Sequence, residues 1–149
     1  MSIQVSHFTK TYGQQRAVND ISFQAEPGQI VGFLGPNGAG KSTTMKTITC
    51  YLPPTAGSIS VCGYDVVRQP MEVRRNIGYL PEHNPLYLDM YVWEYLRFIG
   101  SVHRLGGGKL AGRISEMVEL CGLAREQHKK IGSLSKGYRQ RVGLAQALL

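Results

Sequence analysis

Residues 35 to 43 read GPNGAGKST: Gly35, Pro36, Asn37, Gly38, Ala39, Gly40, Lys41, Ser42 and Thr43. A glycine, four intervening residues and then Gly-Lys-Ser is the spacing of a phosphate-binding loop. The chemistry explains the residue types. Successive backbone N–H groups must curl around a phosphate, and Gly35, Gly38 and Gly40 permit turns and a close approach that a Cβ would block. A helix starting at Lys41 points its unpaired N–H groups and positive dipole end at the same anion. Lys41 adds a full charge for the outer phosphates, and the Ser42 hydroxyl suits ligation of Mg²⁺. The bland alternative is a Gly-rich strand-to-helix turn, against which stands the order of strand, loop, lysine and hydroxyl.

Elements on both sides must hold this loop. The apolar run Ile30-Val31-Gly32-Phe33-Leu34 predicts a buried strand before it. After it, a helix is predicted from Lys41 to about Tyr51, with Met45, Ile48 and Leu52 on one face and Pro53-Pro54 ending it. Thr43, Thr44, Thr47 and Thr49 are poor helix formers, so that helix rests on the loop rather than on propensity. Residues 2 to 9 and 17 to 25 alternate loosely and predict two strands of an antiparallel layer. Lys10 to Gln14 forms the turn between them and carries the aromatic Tyr12. Glu26-Pro27-Gly28-Gln29 reads as a sharp turn. Gly57 to Cys62 predicts another strand with Ile59 and Val61 inward. A short helix at Met71 to Asn76 and a strand at Ile77 to Leu80 follow.

The second half is helical. The loop from Glu82 to Asp89 exposes apolar and aromatic residues. Met90 to about Arg104 predicts a helix with Val92, Leu96, Ile99 and His103 in one stripe and Trp93 off it. Leu86 and Tyr87 are expected outside. Gly106-Gly107-Gly108 reads as a hinge or linker. Leu110 to Leu120 predicts a second helix with Ile114, Met117, Val118 and Cys121 inward and Gly122 as its cap. After LSKGYRQR at 134 to 141, a last helix carries Val142, Ala145, Leu148 and Leu149 on its apolar side. It runs to the end with neither cap nor stop signal, from which a longer protein is expected.

Composition narrows the classes. The chain has 149 residues, 42% hydrophobic and 18% charged, an ordinary globular balance. Cys50, Cys62 and Cys121 form no CxxC pair and are expected to be buried thiols in a reducing compartment. The four histidines show no metal-ligand spacing. No stretch is long and apolar enough to span a bilayer, and the start lacks a signal-peptide core. The net charge of +7 invites a nucleic-acid reading. Six basic residues against one acid between Arg125 and Arg141 place much of that excess in one region, without any RNA-binding aromatic signature. No nucleic-acid partner is expected.

Taken together these segments resemble the ATP-binding subunit of an ABC transporter, over the whole chain from Ile3 to Leu149. The resemblance implies an α/β fold: a P-loop NTPase core with an N-terminal antiparallel β layer and a helical signature subdomain, the C-terminal part of the core sheet missing. One partial nucleotide-binding domain is implied over 1–149, with β layer and P-loop core at 1–81 and Q-loop and helical subdomain at 82–149. ATP and Mg²⁺ are the implied cofactors. Tyr12 matches the family's adenine-stacking aromatic; a turn tyrosine is the alternative. Glu82 stands where the family has its Q-loop glutamine, which contacts Mg²⁺ and the attacking water. LSKGYRQR is similar to the signature LSGGQ, with Ser135 and Gly137 retained but Lys136 and Tyr138 replacing Gly and Gln. In the family this helix N-terminus serves the nucleotide of a second ATP-binding subunit, while the 82–95 region meets a transmembrane subunit.

The implied function is coupling of ATP binding and hydrolysis to transport by a separate membrane subunit, with the protein peripheral on the cytoplasmic face of the inner membrane. The Leu80-Pro81-Glu82 form and its short spacing resemble the exporter-type branch, and the run IGYLPEHNPLYLDMYVWEYL is similar, more narrowly, to bacterial gliding-motility ATP-binding subunits. A soluble ABC ATPase acting on ribosomes or nucleic acid is the alternative. The family's catalytic Asp-Glu pair and switch histidine, expected after the signature helix, do not occur here, so nucleotide binding is the most that these residues alone are expected to support.

Overall fold

A computed structural model describes residues 2–149, which form two compact units that divide between Ile77 and Gly78. In the first, β1 (Ile3–Tyr12), β2 (Gln15–Ala25), β3 (Ala56–Val61) and β4 (Tyr64–Asp65) make an antiparallel sheet in the order β2-β1-β3-β4. The turn between β1 and β2 is tighter than the sequence suggests: Tyr12 pairs with Gln15 and only Gly13 and Gln14 turn. Alternation along β1 would send Val5 and Phe8 to opposite faces, yet both are buried. A register shift between them, with His7 at φ +50°, supplies the extra residue that returns Phe8 to the core. Ile48, Ile59, Val61, Val66 and Val73 complete that core.

The expected strand at Ile30–Leu34 is not formed. Residues 29–36 are irregular, and Ile30 and Leu34 are fully exposed. A strand needs neighbours for its N–H and C=O groups, and none of the described strands pairs with this run. Phe33 alone finds an aromatic neighbour, 5.3 Å from Phe23 between centroids. Ile77–Leu80 likewise forms no strand.

Helix α1 (Lys41–Ile48) is shorter than expected and buries a different face. Met45 is exposed, while Thr44, Thr47 and Ile48 are buried. The threonines resolve their own conflict by back-bonding: Thr44 Oγ1 donates to Gly40 O at 2.9 Å and Thr47 Oγ1 to Thr43 O at 2.9 Å. Each buried hydroxyl is thereby satisfied, so these residues pack like valines. α2 (Pro70–Arg75) closes the unit.

The second unit packs α3 (Val92–Val102), α4 (Gly107–Leu120) and α5 (Lys136–Leu148) around Leu96, Ile114, Met117, Leu123, Ile131 and Val142. Along α3 the buried stripe runs through Val92, Tyr95, Leu96 and Gly100; His103 is exposed, and Trp93 is partly buried against the core. Tyr95 takes an inner place because its hydroxyl donates to Gln146 Oε1 at 2.6 Å. Leu86, expected outside, is half-buried on the core, whereas Tyr87 is exposed. The glycine triplet is no linker, since Gly107 and Gly108 begin α4. α4 ends in a Schellman motif: Gly122, at φ +64°, donates to Glu119 O, and Leu123 N–H donates to Val118 O. Leu148 is exposed and Leu149 only partly buried. Of the three thiols Cys121 alone is buried; Cys50 and Cys62 are half-buried. Burial pushes the Cys50 and Cys121 thiols up, against the pull of Arg74 and Arg141 respectively.

Candidate functional site

Two turns of positive φ shape the loop ahead of α1. Gly38 lies at φ +83° and Gly40 at φ +82°, conformations natural to glycine. Space adds a second constraint at Gly40, where a Cβ would come within 2.5 Å of Ala17 O and 2.7 Å of Val18 Cγ2. β2 thus presses on the loop's last turn and sets where α1 begins. Ala39 N–H donates to Pro36 O at 3.2 Å, folding the loop back on itself. Gly35 is different: its φ is not positive, and a Cβ there would meet Ala39 Cβ at 3.2 Å.

Lys41 extends across this loop, with Nζ donating to Gly35 O at 2.6 Å and Pro36 O at 2.7 Å. The ammonium is held by exchangeable carbonyl partners above the exposed Asn37 and Gly38. Ser42 is exposed in the first turn of α1, which contains no acidic residue and no side-chain cap. Its free N–H groups therefore favour an anion.

Tyr12, Gly38, Gly40, Ser42 and Thr43 share one open cleft of about 350 Å³ with Gln15, Arg16 and Ala17. The half-exposed Tyr12 ring has Lys10 Nζ 5.3 Å from its centroid. The cleft thus joins a flat π surface at Tyr12 to the Gly38–Gly40 turn and the first residues of α1. An elongated anion with an aromatic head suits it. Sequence reading missed Gln15 and Arg16. The tight Gly13-Gln14 turn brings them beside Tyr12, and only the strand register reveals it.

In the second unit Ser135 is the N-cap of α5, its Oγ accepting from Tyr138 N–H at 3.4 Å. Buried Leu134 anchors the turn from beneath, and Arg139 Nη2 donates to Gly132 O at 2.8 Å. Ser135, Lys136 and Gly137 remain exposed. A Cβ at Gly137 would approach only Ser135 Oγ, at 4.0 Å, so nothing among the described residues demands glycine there. The Glu82 side chain is also exposed, and its carbonyl accepts from Gln140 Nε2 at 2.9 Å. Tyr87 meets Tyr95 at a tilt and Phe98 edge-to-face, with centroids 6.1 and 5.7 Å away. Tyr87, Leu88, Tyr91 and Phe98 leave a patch of apolar surface around the loop. Among the described residues no cluster of side chains is built to hold a metal ion alone, and no helix is long and apolar enough to cross a membrane.

The family model described as ABC transporter matches residues 18–149. The chain is 40% identical over 147 residues to the uncharacterized ABC transporter ATP-binding protein YxlF of Bacillus subtilis (strain 168), covering 99% of this chain and 48% of that protein. It is 35% identical over 147 residues to the linearmycin resistance ATP-binding protein LnrL of the same organism, covering 99% and 47%. The chain spans about half the length of these curated relatives. Among solved structures, an ATP-binding subunit of an ABC transporter superposes with a TM-score of 0.87 at 30% identity, over 99% of this chain and 62% of that one. A dimeric bacterial ABC transporter cassette gives 0.82 at 26% identity, over 97% and 68%.

Proposed function

This chain belongs to the ABC transporter family, and on that premise we propose that it supplies the nucleotide-gripping half of an ATPase that drives a separate membrane subunit. The observation that carries this reading is the cleft in which Tyr12, the Gly38–Gly40 turn and the start of α1 converge. Tyr12 offers its face to the adenine ring. The loop from Gly35 to Gly40 wraps the phosphates, and Lys41 exchanges the carbonyls of Gly35 and Pro36 for phosphate oxygens. The first N–H groups of α1 add to the positive field. Ser42 and Glu82 are the proposed Mg²⁺ ligands; the ion would neutralise charge on the phosphates and orient the leaving oxygen.

Ser135 and Gly137 stand in solvent with no partner on their own chain beyond the cap, which suits them to donate to the nucleotide of a second ATP-binding subunit. That a similar cassette is dimeric supports this reading. The apolar surface of the 82–95 region, with Tyr87 and Tyr91 outward, is the proposed seat of the transmembrane subunit, which would hold the protein at the cytoplasmic face of the inner membrane. The relative named for linearmycin resistance favours an exporter. The narrower assignment to a gliding-motility system rests on residues 77 to 96 alone.

Mg²⁺-dependent hydrolysis by the full-length protein tests the two-subunit site. Ser135→Arg removes the cap acceptor and adds bulk, and it is expected to abolish turnover while fluorescent-ATP binding persists. Hydrolysis by this variant at the wild-type rate would overturn that arrangement.

A further inference from the structure

Three residues on one face of α5 grip the segment that carries Glu82. Gln140 Nε2 donates to Glu82 O at 2.9 Å. Three residues on, a Cβ at Gly143 would overlap Asn84 Nδ2 and come within 2.7 Å of Leu80 Cδ1. Four residues further, the Ala147 carbonyl lies against Gly78 so closely that a Cβ on Gly78 would overlap it. Spacings of three and four residues put 140, 143 and 147 on one helical stripe. Their partners 78, 80, 82 and 84 follow each other at every second residue along an irregular stretch. That stretch has no ladder of its own to fix it.

Irregular backbone of this kind is held only by what it packs against. Here it packs on the helix that begins at Ser135, and Gln140 lies between one and two turns from that cap. We propose that Gln140 is a positioning residue: with Gly143 and Ala147 it straps the Glu82 segment to α5, so that Ser135 and Glu82 move as one body. On the proposed ATPase function, on which this inference rests, Ser135 serves a second subunit's nucleotide while Glu82 serves its own. The strap then makes the position of Glu82 answer to engagement of Ser135, coupling the two nucleotides through one short helix segment. Gln140 itself touches neither nucleotide. Its amide holds the backbone from which the Glu82 carboxylate projects.

A double-mutant cycle in the full-length protein separates this from a merely structural role. Gln140→Met keeps the side chain's length and removes the donor, and Glu82→Ala removes the carboxylate while leaving the carbonyl that Gln140 grips. Gln140→Leu repeats the test with a second shape, so that the outcome does not hang on the folding of one variant. Each Gln140 variant is expected to lower kcat for ATP about tenfold or more, with KM and the thermal midpoint little changed. In the Glu82→Ala background the same substitutions are expected to change kcat less than about twofold, because the group they position is gone. Wild-type kcat in the single variants, or an equal further loss in the Glu82→Ala background, would overturn the proposal. Absence of hydrolysis by the wild-type protein would instead strike the proposed function itself.

Discussion

Gly40 and Lys41 adjoin in sequence but do different work. Gly40 is fixed twice, by φ +82° and by the carbonyl of Ala17. Gly40→Ala is therefore expected to lower stability by about 1–3 kcal/mol, read by urea unfolding, because the new methyl meets backbone that cannot swing away. Lys41, by contrast, is held only by two loop carbonyls that it can surrender. Its loss is expected to spare the fold and strike the ligand. Tyr95 provides a pH signature. Burial, reinforced by the nearby Tyr87, pushes its hydroxyl up from 10.0 to about 12. The folded state thus holds this proton more tightly than the unfolded chain does. The associated stability is intact below the unfolded value and is lost as pH rises through the interval up to the folded one. An ultraviolet titration should show a tyrosine ionisation near pH 12, and Tyr95→Phe should abolish it.

At the scale of elements, ends matter more than middles. α5 opens on Ser135, and Ser135→Ala is expected to cost about 1 kcal/mol of stability in addition to its effect on turnover. Measuring both in one variant separates the cap from the phosphate donor. α4 closes on Gly122 at φ +64°, so Gly122→Ala is expected to cost about 1 kcal/mol by denaturant midpoint. The end of α4 is legible in the sequence because its cap is one local glycine, whereas the last helix, expected only after Arg141, opens at Lys136 on a Ser135 cap that the sequence reading does not assign. Faces were less legible. Thr44 and Thr47 read as polar, and only their bonds to the preceding turn make them core residues. Phe8 reads as facing the wrong way until the shift at His7 is seen. Leu86 looked like interface surface because nothing local reveals the helical core against which it rests.

At the scale of the molecule, two apolar runs read as strands from hydrophobicity alone, and among the described residues neither pairs with a strand. Pairing is a non-local property, so Ile30–Leu34 and Ile77–Leu80 could not be settled from their own residues. The consequence at Ile30, Val31 and Leu34 is a stretch of exposed apolar side chains on irregular backbone. The 149-residue chain is therefore expected to self-associate as its concentration rises, and Leu34→Lys to suppress this in sedimentation experiments. Equal association of both forms would place the sticky surface elsewhere. The phosphate loop, in contrast, was readable because nine consecutive residues hold nearly all of its chemistry. Titration of a fluorescent ATP analogue into the full-length protein and into Lys41→Ala tests the central claim most directly. Saturable binding that weakens about tenfold or more without the ammonium is the expected result, and equal affinity of the two proteins would contradict it.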